Sequence, residues 1–439
     1  MTNEAIPEVY VLWHPGFPNG EALAQRIYRW VRPNGLGPQV FYRSLPAPGA
    51  GPDGLPPPIP RDSRAGLCAD ALARYPQSSI DNLQVLIVLI DAHLIADPAW
   101  QHWINGLTAA AVKDKRVVLP VALDSTAYNV PPAMQELNFL RPAGLPASAL
   151  ASRWEVGLLE TVSRSLLKQL TETLCDLLLQ FDDFRSGAAP FETSRSKVKI
   201  FLSHAKADGT EPARRIRDYI YSQTQIAAFF DENDIPFGAL FNKVLDGQVA
   251  GSSRATALIV VRSARYVDRP WCRRELSEFR RPRQDLSVSR KTQFWTLNPV
   301  LVVDALDDGA HTFCIPELGN APTIRWSRNI PQQEEQIVTT TLRDVQLAAH
   351  HRALGRRMPD EDDCIVLNWL PDAATLLHIP AVRSNAPRRV YYPGRDLSGQ
   401  GFRSYAFTIN HRRHRHQAPR SPAVQPETHR MSPPAIAWS

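Results

Sequence analysis

Short, continuous apolar runs recur along the chain, and each is followed by a segment with helical periodicity. Leu83–Ile90 and Arg116–Leu123 are two such runs in the first half, and Val198–Ser203 and Ala257–Val261 are two in the second. A strand that is buried on both faces of a parallel sheet is apolar throughout, whereas a strand with one solvated face alternates. The pattern therefore predicts an α/β protein with flavodoxin-like parallel sheets and helices on both faces.

The order of strands and helices occurs twice, which divides the chain into repeated units. A chain of 439 residues is expected to form two to three domains. After the second unit, two further strands are predicted, with none beyond them, and the composition then turns to His, Arg, Pro and Ser. The predicted domains are two α/β units at 1–190 and 196–355, a partial α/β segment at 360–407 and a disordered tail at 408–439.

Polar residues follow the strand ends of the second unit. Ser203 and His204 end its first strand, Asp231 follows its second, and Ser263 follows its central strand. Ligands of parallel α/β sheets bind at the carboxyl ends of the strands. We therefore expect these four side chains to lie along one edge of the sheet.

Three motifs of this unit together resemble a family. Phe201-Leu-Ser-His204 precedes Phe229-Phe-Asp231, and Trp271-Cys-Arg-Arg-Glu275 follows the serine-bearing loop at Ser263. In this order they resemble a Toll/interleukin-1 receptor (TIR) domain of the bacterial NAD-cleaving type over roughly residues 196–330. The resemblance implies that Glu275 is catalytic. It places Ser203, His204, Asp231, Ser263 and Trp271 at the substrate, and an assembly loop at Asp234, Ile235, Pro236, Phe237 and Gly238.

The implied reaction suits a carboxylate on a helix. Loss of nicotinamide leaves oxocarbenium-like charge on the ribose, which a carboxylate held against the sugar stabilises. Trp271 and Glu275 are four residues apart, so one helix face carries both. For Glu275 the alternative is an exposed glutamate paired with Arg273, Arg274 or an arginine one turn on, and for Trp271 it is packing in the core. Cys272 is interpreted as a small buried apolar residue.

The first unit resembles the second but lacks its carboxylate. Leu12-Trp13-His14 stands where Leu202-Ser203-His204 stands, and Trp100 aligns with Trp271. On this alignment Ile104 occupies the position of Glu275. The first unit is therefore interpreted as a degenerate TIR-like domain with a regulatory or assembly role.

Composition excludes several classes of protein. No apolar run approaches the ~18 residues that span a bilayer, and the amino terminus has no secretory pattern. Five scattered cysteines indicate reduced thiols and a cytoplasmic location. Part of the net charge of +6 lies in His411–His416, which argues against nucleic-acid binding. No phosphate-binding glycine motif is present. The predicted partners are NAD+ as substrate, other copies of the TIR domain and an upstream sensor protein, with no metal and no cofactor.

Two alternatives remain open at this stage. A non-catalytic TIR scaffold would signal through homotypic contacts, so Pro236 and Phe237 would matter and Glu275 would not. A nucleoside ribosyl-transferring enzyme of similar architecture would act on nucleosides and ignore NAD.

Overall fold

The computed structural model describes most of the three predicted α/β regions. Asp231, the loop at 234–238 and the tail at 408–439 lie outside the described residues. The described residues are 8–43, 84–109, 111, 116–145, 153–184, 198–224, 226–230, 256–285, 291–306, 315–356, 358, 362, 364–380, 388–394 and 402–407.

The strands that were predicted from apolar runs lie close to those runs. The run at Leu83–Ile90 forms the strand Gln84–Ile90, in which every residue is buried. The strands are β1 (Glu8–Trp13), β2 (Gln39–Arg43), β3 (Gln84–Ile90), β4 (Arg116–Ala122), β5 (Lys199–His204), β6 (Ala227–Phe230), β7 (Thr256–Arg262), β8 (Arg283–Gln284), β9 (Gln293–Thr296), β10 (Val300–Asp304), β11 (Thr323–Arg325), β12 (Cys364–Leu367), β13 (Arg388–Pro393) and β14 (Phe402–Phe407).

The helices alternate with the strands as predicted. Three short 3₁₀ turns, at Pro33–Gly35, Ser125–Tyr128 and Pro316–Leu318, complete the described elements. The helices are α1 (Gly20–Val31), α2 (Ala92–Ala96), α3 (Pro98–Ala109), α4 (Pro132–Gln135), α5 (Val156–Phe184), α6 (Thr210–Gln223), α7 (Pro270–Phe279), α8 (Gln333–Arg356) and α9 (Ala373–Leu376).

Both repeated units have the flavodoxin-like strand order, which confirms the predicted fold class. The first sheet is ordered β2-β1-β3-β4 and the second β6-β5-β7-β10-β11, and every pair within them is parallel. Counted from the start of each unit, this is the 2-1-3-4-5 order, of which the described residues of the first unit supply four strands. The order reverses between β1 and β3 in one unit and between β5 and β7 in the other.

The third sheet differs from the expected two-strand segment. Its order is β14-β13-β12-β9-β8, with β14 and β8 antiparallel at its edges. The expectation that no strand follows β13 is wrong, because Phe402–Phe407 pairs along the whole of β13. The two strands β8 and β9 come from residues between α7 and β10, so the chain leaves the second unit for this sheet and then returns. Strand β14 lies at the edge of the sheet and, among the described strands, pairs with one only. Because an edge strand has a weak apolar pattern, it is difficult to predict from the sequence.

Helix α5 belongs to two hydrophobic cores. Val162, Leu166 and Leu170 pack with β1 and β3 in the first unit. Near its carboxyl end, Cys175 and Leu178 pack instead with β5, β7 and α8 in the second unit. At ~1.5 Å per residue its 29 residues span about 43 Å, long enough to serve both sheets. The helix therefore joins the two units through shared packing.

Helix α8 makes the second connection between the units. The Arg343 guanidinium lies 4.4 Å from the centre of the Trp30 ring on α1. Near the end of α8, His351 is 7% exposed, and its Nε2 donates to the Leu36 carbonyl at 2.6 Å. The Asn368 backbone, beside the third sheet, also hydrogen-bonds this imidazole. His351 thus lies where all three sheets meet.

Burial of His351 predicts an acid-sensitive fold. Desolvation lowers the pKa of His351 from 6.5 to about 4, although its two backbone hydrogen bonds act in the opposite direction. Between those pH values the unfolded chain takes up a proton at His351 that the folded chain does not. The free energy of unfolding is therefore not reduced by His351 above pH 6.5, and it falls progressively as the pH is lowered to 4. A pKa difference of this size corresponds to at most about 3 kcal/mol.

The measurement is urea unfolding at pH 7 and pH 5 for the wild type and His351→Gln, which keeps an N–H donor. Burial raises the pKa of Asp344 on the same helix to about 6, an effect that increases stability as the pH falls. Because Asp344 is present in both proteins, the difference between them isolates His351. We expect the wild type to lose more stability than the variant, and equal losses would contradict this assignment.

The second unit and the third sheet are joined by a buried ion pair. Arg280, just after α7, donates to the Asp372 carboxylate at 2.5 Å, and the two side chains are only 7% and 13% exposed. The same carboxylate caps α9 by accepting from the Thr375 backbone at 2.9 Å. Gly319 packs over the pair so closely that a Cβ there would lie 2.7 Å from an Asp372 oxygen. This junction is therefore both desolvated and sterically filled.

Candidate active site

The predicted polar residues lie where the strand order of the second sheet reverses. Ser203 and His204 pair with Val260 and Val261 at the carboxyl ends of β5 and β7, and Ser263 comes directly after β7. At such a reversal the connections leave toward opposite faces of the sheet, which opens a crevice beyond the strand ends. The fold therefore brings these side chains to the edge of the sheet at which ligands bind.

Glu275 lies against this edge from the side of α7. Proline at the first helical position starts α7, where its missing N–H costs nothing. Cys272, Leu276 and Phe279 face the sheet and bury the helix. Glu275 precedes Leu276, so it is half-buried at the margin of that face. The periodicity of α7 thus determines where the carboxylate lies.

A chain of hydrogen bonds holds the Glu275 carboxylate. Ser203 Oγ donates to Glu275 Oε2 at 2.7 Å, and the Tyr266 hydroxyl lies 2.9 Å from the same Oγ. Ser203 is 2% exposed and Tyr266 is completely buried. The Tyr266 hydroxyl also donates to the Cys272 carbonyl at 3.3 Å. Three residues from β5, the loop after β7 and α7 are therefore joined through one serine hydroxyl.

The arginines next to Glu275 have partners of their own. Arg273 pairs with Glu317 at 2.5 Å, and the Arg274 guanidinium lies 5.9 Å from the centre of the Trp271 ring. Glu275 is half-buried against Ser203, so the interpretation of it as an exposed surface glutamate is wrong. Trp271 is 60% exposed, so the alternative that it packs in the core is also wrong, and its contact with substrate stays a prediction.

Ser203 and His204 face opposite sides of the sheet. Successive side chains of a strand alternate. Ser203 lies on the side of α7, whereas His204 lies toward the start of α6, where its Cβ is 3.2 Å from the position of a Cβ on Gly209. Cys272 is buried, as predicted, and its Sγ donates to the His204 carbonyl at 3.4 Å. A role for His204 at the nicotinamide stays a prediction.

Ser263 is tied to a residue that the sequence did not single out. Its hydroxyl donates to Asp208 Oδ1 at 2.6 Å, and the Arg265 backbone N–H donates to Asp208 Oδ2 at 2.8 Å. Asp208 belongs to the loop between β5 and α6, so its carboxylate joins the two loops beside the crevice. Tyr266 was also missed, since a tyrosine one turn beyond Ser263 has no sequence signal beyond its apolar character.

When the two units are aligned by the burial of their strands and helices, the alignment differs by one residue from the one expected from the sequence. Strands β1 and β5 have the same length and burial pattern, which matches Leu12 rather than Trp13 to Ser203. Trp100 is completely buried, and so it corresponds in burial to Cys272, which is only 6% exposed. Trp271, by contrast, is exposed. The alignment on the two tryptophans is therefore wrong, because the burial of α3 and α7 matches only when it is shifted by one residue.

In the corrected register the first unit has an apolar layer in place of the hydrogen-bonded chain. Ile104, expected at the position of Glu275, matches the fully buried Leu276 instead. The corresponding side chains of the first unit pack in one hydrophobic cluster. They are Leu12, Leu94 and Trp103, at the positions of Ser203, Tyr266 and Glu275.

The described residues hold no group of three or more His, Cys, Asp or Glu side chains arranged to bind a metal ion. Among the described helices, none combines the length and apolar character needed to cross a membrane.

Comparison with known proteins identifies the second unit. Residues 200–338 match the family model for the TIR domain, so this part of the chain is a TIR domain. No curated protein matches the sequence.

Similarity to solved structures is weak. A tagatose-6-phosphate ketose/aldose isomerase from Escherichia coli is 15% identical, with 82% of this chain and 85% of that chain covered at a TM-score of 0.21. A putative isomerase of the same description from Clostridium novyi is 11% identical, with 81% and 79% covered at a TM-score of 0.18. TM-scores this low establish neither a shared fold nor a shared activity.

Proposed function

We propose that this protein is a TIR-domain NAD+ nucleosidase in which Glu275 stabilises the cleavage of the nicotinamide–ribose bond. One observation carries the proposal: a half-buried carboxylate is held by Ser203 at the strand-order reversal of the TIR domain. The matching layer of the first unit is apolar, so packing of this fold does not require polar groups there.

The arrangement suits the electronic demand of the reaction. Nicotinamide departs as a neutral group from a cationic ring, and positive charge develops on the ribose. A carboxylate whose orientation is fixed before the reaction stabilises that charge without reorganising. The remaining positions of the proposal, Ser263, His204, Trp271 and Asp231, would surround the nucleotide along the same edge.

Self-association is part of the proposal. TIR domains generally associate with one another, and the loop at 234–238 is the proposed contact. The role suggested for the whole chain is signalling or defence in which NAD+ is consumed, with activity controlled by assembly and with the first unit in a regulatory role.

The test is nicotinamide release from NAD+ by the purified full-length protein at rising concentration, with and without a crowding agent. We expect release whose specific rate increases with protein concentration, because an active assembly forms by mass action. A folded, self-associated protein that releases no nicotinamide would contradict the enzyme proposal and favour a non-catalytic scaffold. Cleavage of nucleosides in place of NAD+ would favour the nucleoside ribosyl-transferring alternative.

A further inference from the structure

We propose that Tyr266 is a positioning residue for Glu275 and acts through the hydroxyl of Ser203. The inference rests on the proposed function, because it concerns the carboxylate that this function requires. Tyr266 is completely buried behind Ser203, so it is not placed to touch a substrate.

The chemistry of the three groups fixes the direction of the hydrogen bonds. An ionised carboxylate only accepts, so the single hydroxyl proton of Ser203 is directed to Glu275 Oε2 at 2.7 Å. Ser203 Oγ then has only lone pairs to offer Tyr266, whose one hydroxyl proton is shared between this oxygen at 2.9 Å and the Cys272 carbonyl at 3.3 Å. The order is Tyr266 to Ser203 to Glu275, and each bond polarises the next.

The buried Tyr266 hydroxyl keeps its proton around neutral pH and can therefore donate. Burial raises the pKa of the Tyr266 hydroxyl far above its usual range, with the nearby Glu275 charge acting in the same direction. Without Tyr266, the Ser203 hydroxyl would lose the group that sets its rotamer. The Glu275 carboxylate would then accept from a Ser203 hydroxyl whose orientation is no longer fixed.

The first unit serves as an internal comparison. Its layer between β1, β3 and α3 is filled by Leu12, Leu94 and Trp103, all packed in one cluster. The fold therefore closes this layer without a tyrosine hydroxyl or a serine. In the second unit the hydroxyls of Ser203 and Tyr266 occur together with Glu275. We therefore attribute them to the orientation of the carboxylate rather than to packing.

The first measurement is the pH–rate profile of nicotinamide release by Tyr266→Phe. A hydrogen bond to a carboxylate favours its ionised form. Loss of the donor is expected to lower kcat about three- to ten-fold, with KM little changed, and to move the acidic limb of the profile about 0.4 to 1 pH unit upward. Tyr219→Phe is the matched control. It removes a tyrosine hydroxyl that lies 3.3 Å from the Glu335 carboxylate on the opposite face of the same sheet, and it is expected to leave the profile unchanged.

A double-mutant cycle tests whether Tyr266 acts through Ser203. Ser203→Ala is expected to lower kcat more than Tyr266→Phe does, because it removes the donor to a charged group. Adding Tyr266→Phe to Ser203→Ala is expected to change nothing further. A full additional loss in the double variant would show that Tyr266 acts independently and would overturn the proposal.

A readout without turnover separates this proposal from the proposed function. The carboxyl carbon of Glu275 in glutamate-labelled protein is followed by ¹³C NMR and assigned by its loss in Glu275→Gln. If the wild type releases no nicotinamide but the Glu275 titration moves upward in Tyr266→Phe, the positioning role stands and the NADase proposal fails. An unchanged titration in folded Tyr266→Phe overturns the positioning role. If that variant does not fold, Tyr266→Leu, which copies Leu94 of the first unit, is measured in the same way.

Discussion

Glu275→Gln is expected to lower kcat for nicotinamide release about 10²- to 10³-fold, with KM changed only a few-fold. The amide has the same shape and its oxygen still accepts from Ser203, so the substitution removes the charge and little else. A preorganised group aimed at developing charge is worth about 3–4 kcal/mol when it is removed, which corresponds to this change in rate. Nicotinamide release at saturating and limiting NAD+ separates kcat from KM.

Glu278→Gln on the same helix is the matched control. Glu278 is exposed and lies 3.8 Å from Arg281, a surface pair that contributes little to stability. We expect wild-type rates from this variant. Substantial activity in folded Glu275→Gln would remove the central argument for the enzyme and direct attention to the loop at 234–238 as a docking element.

Asp372→Asn is expected to destabilise the protein by about 3–5 kcal/mol. The substitution leaves the buried Arg280 guanidinium without its counter-charge, and an unpaired buried charge is far more costly than the loss of a surface pair. Asparagine still accepts from the Thr375 N–H, so the cap of α9 is retained. The measurement is urea unfolding at pH 7, followed by tryptophan fluorescence.

The control is Asp362→Asn, which breaks the ion pair between Lys291 and Asp362. Its side chains are 65% and 74% exposed at 3.1 Å, so the expected loss is below about 1 kcal/mol. If both variants lose the same stability, the Arg280–Asp372 junction is not desolvated in solution. Arg280→Met tests the pair from the other side and is also expected to be strongly destabilising, because it leaves the Asp372 carboxylate buried without its counter-charge.

Burial on both faces made the central strands predictable from the sequence. The interiors of Gln84–Ile90 and Thr256–Arg262 are apolar because both faces are covered, so the apolar runs match the observed strands to within about one residue. The edge strands Arg283–Gln284 and Phe402–Phe407 follow from pairing with distant segments, and such pairing leaves little trace in local composition.

The candidate site was predicted in part. Ser203 and Glu275 were both selected, but their 2.7 Å contact joins residues 72 positions apart and follows only from the packing of α7 on β5. The family resemblance placed Ser203 at the substrate, which stays a prediction, and Tyr266 was not selected. The internal alignment failed for a related reason. A tryptophan is conspicuous in sequence, yet Trp100 is buried and Trp271 is exposed, and a shift of one residue moves every side chain to another environment.

The shared helix α5 means that the chain has no clean point of division. A cut near residue 190 would take Cys175, Leu178 and Leu179 away from the second core and expose the apolar surface they cover. A cut before α5 would leave Leu166 and Leu170 on a helix without the sheet they pack against. The two halves therefore share the packing of one helix, and a role of the amino-terminal half has to be tested by single substitutions within the intact polypeptide rather than by deletion.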